Sequence, residues 1–302
     1  MASPEFSAFL NTLRSRPTPT GLSIAELRQR FSTLAAQFAP DPDLQFQPVD
    51  ADGVSAEWCV PPGVQSNGVL FFLHGGGYCI ASVRDYRDFV GRLAKATRCR
   101  VLSVEYRLAP EHPFPAALND AIRAYRWLRA SKLHQNIVVG GDSAGGGLSM
   151  ALLISLRDAD EPPPCGAFLI SPSTDLAKEG ASMQSRAAVD PIITPETTLR
   201  YAKAYAGERS VREPLISPLY ADLGNLPPLF IMVGDCERLL DDSTRLADRA
   251  READTQVTIE IWDEMIHIWP FFASLLPEGR AAIQRVAEFV DGRLEAVRKG
   301  HD

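Results

Sequence analysis

The stretch that most restricts this chain runs from Asn136 to Met150, NIVVGGDSAGGGLSM. Ile137, Val138 and Val139 form an unbroken β-branched run, which predicts a strand buried on both faces. Gly141-Asp142-Ser143-Ala144-Gly145 follows at once, and a segment with helical spacing comes after it. A G-x-S-x-G pentapeptide between a strand and a helix is a turn sharp enough to strain its central serine and leave Oγ exposed. The outer glycines are required because a Cβ at either would strike neighbouring backbone. The expectation is a displayed Ser143 hydroxyl above the end of a strand, with the Ala144 amide opening the helix behind it.

A fold that carries such a turn needs a sheet covered on both faces, and the chain is long enough for one. Its 302 residues, 45% of them hydrophobic, suffice for a single large α/β domain plus an insertion. The net charge of −7 provides no basic footprint for nucleic acid or anionic lipid. Five scattered cysteines, with no C-x-x-C pair, argue against a disulfide framework or a zinc site and fit a reducing compartment. No apolar stretch approaches a membrane span, and residues 1–17 lack the pattern of a signal peptide, so a cytoplasmic location is expected.

Strands and helices alternate through most of the chain. A hairpin is predicted over 44–49 and 54–60, then strands over 68–73, 100–104, 137–139, 167–170, 228–234 and 256–262. Helices are predicted over 85–97, from about 115 through 128, after Ser143, from about 242 to 252, and along the C-terminal segment bearing Ile283, Val286, Val290, Leu294 and Val297. In the strand at 256–262, Val257, Ile259 and Ile261 alternate with Thr258 and Glu260, the pattern of a half-buried edge strand. This alternation predicts a mostly parallel sheet flanked by helices, with the site at the carboxyl ends of its strands.

Two segments stand outside the rhythm. Residues 1–45 hold a capping-box signature at Ser23–Glu26 and an apolar stripe at Ile24, Leu27, Phe31, Leu34 and Phe38. Residues 176–225 hold Thr194-Pro195, a helix start, and a helix through Ala206. Both are read as halves of a helical cap, leaving 46–175 and 226–302 as the main domain.

Serine needs a base to become a nucleophile. Of the five histidines, His74 lies in a glycine loop, His112 between prolines, His134 at a helix end and His301 in the tail; His267 alone follows a late strand. It is the candidate base, in the chain order Ser, acid, His. The acid comes from the turn after residue 234, where Asp235, Glu237, Asp241 and Asp242 compete. Asp241 and Asp242 read as helix N-caps, and Asp235 and Glu237 remain open. The earlier His74-Gly75-Gly76-Gly77-Tyr78 offers consecutive backbone amides for a developing oxyanion. The loop Tyr106–Pro115 is rigid and structural, braced by pairing among Arg107, Glu111 and Asp120.

Taken together, HGGGY at 74–78, YRLAPEHPFPAA at 106–117, GDSAGGG at 141–147, the 237–241 turn and the His267 loop resemble the bacterial hormone-sensitive-lipase-like family of α/β-hydrolase carboxylesterases. The resemblance implies Ser143 as nucleophile, His267 as base, Glu237 as acid in place of the family's more usual Asp, and an oxyanion hole of Gly75, Gly76 and Ala144. It implies ester hydrolysis through an acyl-enzyme, no cofactor, a small-molecule ester as partner, and a homodimer through the last edge strand. An amidase or lactonase with the same machinery is the neighbouring alternative. Plant gibberellin receptors resemble this family too, which makes a non-catalytic binding module the remaining one.

Overall fold

Strand β3, Gly68–Leu73, explains the layering of the molecule. It is buried at every position. Val69, Phe71 and Leu73 face one core, while Leu70 and Phe72 face another, because successive strand residues point to opposite sides. A continuous apolar run is therefore the signature of a strand between two cores.

The structure, a computed structural model, describes residues 2–15, 21–64, 68–131 and 136–299. His134 and His301, weighed above, lie outside the described residues. The sheet has the order β1-β2-β4-β3-β5-β6-β7-β8. Its strands are β1 Gln45–Asp50, β2 Ser55–Val60, β3, β4 Arg100–Val104, β5 Asn136–Asp142, β6 Gly166–Ile170, β7 Leu229–Gly234 and β8 Val257–Trp262. β2 runs antiparallel to β1 and β4, and the remaining pairs are parallel.

The helices are α1 Pro4–Ser15, α2 Ile24–Ala35, α3 Arg87–Thr97, α4 Ala116–Ala130, α5 Ala144–Asp158, α6 Ser182–Ser185, α7 Pro195–Ala206, α8 Leu240–Glu252 and α9 Pro277–Lys299. α4, α5 and α8 pack in the core that holds Phe71, and α3 and α9 in the core that holds Phe72. The capping box at Ser23 is formed, and Thr194 caps α7 with Pro195 at its first position. No described helix is long and apolar enough to cross a membrane. All five cysteines are free thiols.

Parallel register brings the strand ends to one edge: Leu73 pairs with Gly141, Gly141 with Leu169, and Gly234 with Trp262. The loops carrying HGGG, Ser143, the carboxylate turn and His267 all leave from that edge. β8 ends the sheet, and along its apolar face Val257 and Ile259 are half-buried while Ile261 is 49% exposed.

Candidate active site

The turn at Ser143 has the strain its sequence demands. Ser143 adopts φ 50°, ψ −119°, a conformation L-residues rarely hold. A Cβ on Gly141 would lie 2.4 Å from the Gly145 carbonyl oxygen, and one on Gly145 would lie 2.0 Å from that of Leu73. Glycine at both positions lets the backbone close while Ser143 stands out at the start of α5.

The structure brings together Ser143, His267 and Glu237. Ser143 Oγ lies 3.0 Å from His267 Nε2, and His267 Nδ1 lies 2.6 Å from Glu237 Oε2. Since Oε2 of a carboxylate only accepts, Nδ1 carries the proton and Nε2 is left to accept from the serine hydroxyl. Burial alone pulls the His267 imidazole down, but Glu237, with smaller help from Asp190 and Asp142, more than offsets it, and its pKa rises. The other oxygen of Glu237 accepts from the Gly234 amide at 2.8 Å and from the Ser171 hydroxyl at 2.7 Å. Ser171 Oγ in turn accepts the Ile268 amide at 3.2 Å.

The four competing carboxylates have separate partners. Asp235 accepts the Glu264 amide at 2.7 Å on an exposed turn. Asp241 and Asp242 do not cap α8, whose N-cap position is Leu239 with no side-chain bond. Both lie in its first turn and reach outward instead. Asp241 accepts the Ser182 amide, and Asp242 the amides of Thr174 and Asp175. The turn is tied down from the 176–225 side as well, where Asp190 accepts the Arg238 amide at 2.8 Å.

One expectation fails. The Gly75 amide is not free to meet an oxyanion, because it already donates to Asp142 Oδ1 at 2.9 Å and approaches Tyr86 Oη at 3.1 Å. Tyr86 completes the arrangement by donating to Asp142 Oδ2 at 2.7 Å. Burial pushes the Asp142 carboxyl up to about 6, even with these donors in place. Gly76 and Gly77 line the cavity beside Ser143, with φ of 109° and 60°, and no protein acceptor for their amides is present among the described residues. The glycine triplet promised amides without saying which of them the fold leaves open. Gly77 was missed for that reason, as was Ser171, whose only sequence signal is a polar residue directly after a buried strand.

His74 is a packed histidine. It stacks on Tyr106 at 4.3 Å and points Nδ1 at the Gly75 carbonyl, and burial pulls its pKa down to about 4. Tyr106 donates to the His74 carbonyl at 2.7 Å, so the proline-rich loop supports the glycine loop. Within that proline-rich loop Arg107 pairs with Asp120 as expected. Glu111 does not join them; it pairs with Arg28 of α2, whose guanidinium also donates to the carbonyls of Cys79 and Ala109.

Above the serine lies a cavity of about 700 Å³. Its floor is Ser143, His267 and the two glycines, and its walls include Leu27, Phe31 and Leu34 of α2, Thr197 and Tyr201 of α7, and Phe271. It is large enough for a small organic ester.

Known proteins share this sequence and fold. A family model of the alpha/beta hydrolase fold matches residues 70–271. An acetyl-hydrolase of Streptomyces hygroscopicus is 43% identical over 237 residues, which is 78% of this chain and 79% of that protein. The crystal structure of an esterase from the bacterial hormone-sensitive lipase family superposes with a TM-score of 0.94 at 41% identity, covering 97% of this chain and 99% of that one. The esterase EstE5, in a crystal soaked with p-nitrophenyl butyrate, gives 0.93 at 40% identity, covering 97% and 100%. With the family match over 70–271, the fold and 40–43% of its sequence shared with these proteins, the chain belongs to the α/β-hydrolase family, in the hormone-sensitive-lipase-like group of carboxylic ester hydrolases.

Proposed function

We propose that the protein hydrolyses small acyl esters by two-step acyl transfer through a Ser143–His267–Glu237 triad. His267 takes the Ser143 proton as Oγ attacks the ester carbonyl, and Glu237 steadies the imidazolium that forms. The tetrahedral oxyanion is held by the amides of Gly76, Gly77 and Ala144, a donor set that replaces Gly75 with Gly77. His267 returns the proton to the departing alcohol, and water then releases the acid by the same steps in reverse. The helices of 1–45 and 176–225 serve as the two halves of a cap over the 46–175 and 226–302 domain.

The observation that carries this reading is the unbroken hydrogen-bond chain Glu237–His267–Ser143 on the floor of the cavity. Known relatives named esterase and acetyl-hydrolase support the substrate class. The test is turnover of p-nitrophenyl butyrate by wild type and Ser143→Ala. The variant is expected to lose activity by at least about 10⁴-fold, and retained turnover refutes the reading. Labelling of Ser143 by a fluorophosphonate separates an enzyme from a binding module, since only an activated serine reacts. Pairing of two copies along the exposed β8 edge is also proposed, with sedimentation of Ile261→Lys against wild type as its check.

A further inference from the structure

The cavity contains one feature that hydrolysis of a simple alkyl ester does not use. Lys178 lines it, with its side chain only 4% exposed. Its backbone sits at φ 57°, a left-handed conformation that is unfavourable for lysine. The turn around it is held firmly. Asp175 accepts the amides of Ala177 and Glu179, and is itself paired with Arg245 at 2.8 Å. A strained residue fixed by such a turn is a position where side-chain placement matters.

The ammonium is incompletely satisfied. Lys178 Nζ donates to Ser173 Oγ at 2.9 Å and approaches Asp242 Oδ2 at 3.4 Å. That Asp242 oxygen already accepts two backbone amides. An ammonium has three protons, and the third has no acceptor among the described residues. Ser173 also lines the cavity, and its amide donates to the Ser143 carbonyl at 2.8 Å, so this group adjoins the nucleophile. None of the described residues lining the cavity carries a carboxylate, although the chain as a whole has a net charge of −7. Lys178 and Arg30 are the charged residues of the lining.

We propose that the natural ester carries a second, neutral oxygen (ether, hydroxyl or ketone) that accepts the third proton of Lys178 Nζ. A neutral oxygen fits better than a carboxylate. Asp242 already counters the ammonium, and a second anion would have to leave water for little return. A purely alkyl chain would leave a buried donor unpaired. The inference rests on the ester-hydrolase reading and names its substrate more closely.

The experiment compares esters that differ by one CH₂ replaced by O. p-Nitrophenyl methoxyacetate is set against p-nitrophenyl butyrate, and methoxyethyl acetate against butyl acetate, so the oxygen sits in the acyl part or the alcohol part. Each kcat/KM is divided by the rate of hydroxide-catalysed hydrolysis to remove intrinsic reactivity. In at least one pair the wild type is expected to favour the oxygen ester, with the preference falling about tenfold in Lys178→Met, mainly through KM. Lys178→Gln, which keeps an N–H donor, restores part of it. Fluorophosphonate labelling reports whether each variant has an assembled site, and the corrected wild-type preference decides the matter if neither has. The proposal is overturned if the wild type shows no corrected preference in either pair, if both variants keep the full wild-type preference, or if monomethyl succinate outperforms the oxygen esters. If the wild type turns over none of these esters, the ester-hydrolase reading fails instead.

Discussion

The floor and the walls of the cavity are held by different forces. On the floor, buried side chains grip backbone amides. Glu237 holds Gly234, Ser171 holds Ile268, and Asp142 holds Gly75. Such bonds fix position to a few tenths of an ångström and are strengthened by the absence of water. On the α2 and α7 walls, contact is made by apolar and aromatic surface and by half-exposed cations. Phe31 meets Phe271 at 5.7 Å, Arg28 clasps Glu111, and Arg200 donates to the Leu22 carbonyl. Apolar contact is non-directional and tolerates rearrangement. The floor therefore sets the chemistry, and the walls set what reaches it.

That contrast yields predictions in descending order. Glu237→Gln keeps the shape of the floor but cannot hold the His267 tautomer, and kcat should fall by about 10⁴-fold with little change in KM. The remaining activity also reports the charge. As the proposed base His267 would work only when neutral, and its pKa is raised above 6.5, so wild-type kcat/KM should be lost as pH falls through a midpoint above that value. Glu237 is the main source of the rise, and its removal should move the acid limb downward. An unmoved limb would show that another group is titrating.

Gly76→Ala places a Cβ 2.2 Å from the Ile80 carbonyl oxygen at φ 109°, so the loop must shift. Loss of one proposed oxyanion donor should lower kcat by about 10²–10³-fold. A fall confined to KM would move Gly76 from the floor to the walls.

Asp142→Ala leaves the Gly75 amide only the Tyr86 hydroxyl, and kcat should drop by about tenfold as the loop loosens, a share of the proposed oxyanion contribution. Asp142→Asn tests the charge separately. The folded-state pKa is about 6, against an ordinary 3.8, so the native state holds the proton more tightly than the unfolded chain. The stabilisation is full below the lower value and is lost as pH rises through the upper one. Urea unfolding should therefore show wild type losing on the order of 1–3 kcal/mol relative to Asp142→Asn between pH 4 and 7.

The smallest effect belongs to the wall. Arg28→Ala removes a clasp that is partly solvated, so KM should rise a few-fold, kcat should stay within about twofold, and stability should change by less than about 1 kcal/mol. A large loss of kcat would erase the distinction between floor and wall.

The layering was readable because a both-faces-buried strand leaves an unbroken apolar run, as at Val69–Leu73, and because glycine is enforced on either side of Ser143 by backbone contact. The alternation also located His267. Partner choice was less legible. Four carboxylates follow β7 within eight residues, 235–242, and only the three-dimensional path of the turn assigns Glu237 to the imidazole and Asp235 to a surface amide. The Gly75 amide looked as available as its neighbours because its acceptor, Asp142, is distant in sequence. Ile261 kept the strand period yet emerged exposed, because the period fixes which face a residue is on and not how far that face is covered.

The Ser171 hydroxyl has a consequence for how this site would change under mutation. It donates to Glu237 and accepts from Ile268, the residue beside His267, so a single oxygen couples the two loops mechanically. Neither loop can drift without pulling on the other. Damage to one should already include part of the damage to the second, and Ser171→Ala combined with Glu237→Gln should cost less than the sum of the separate losses.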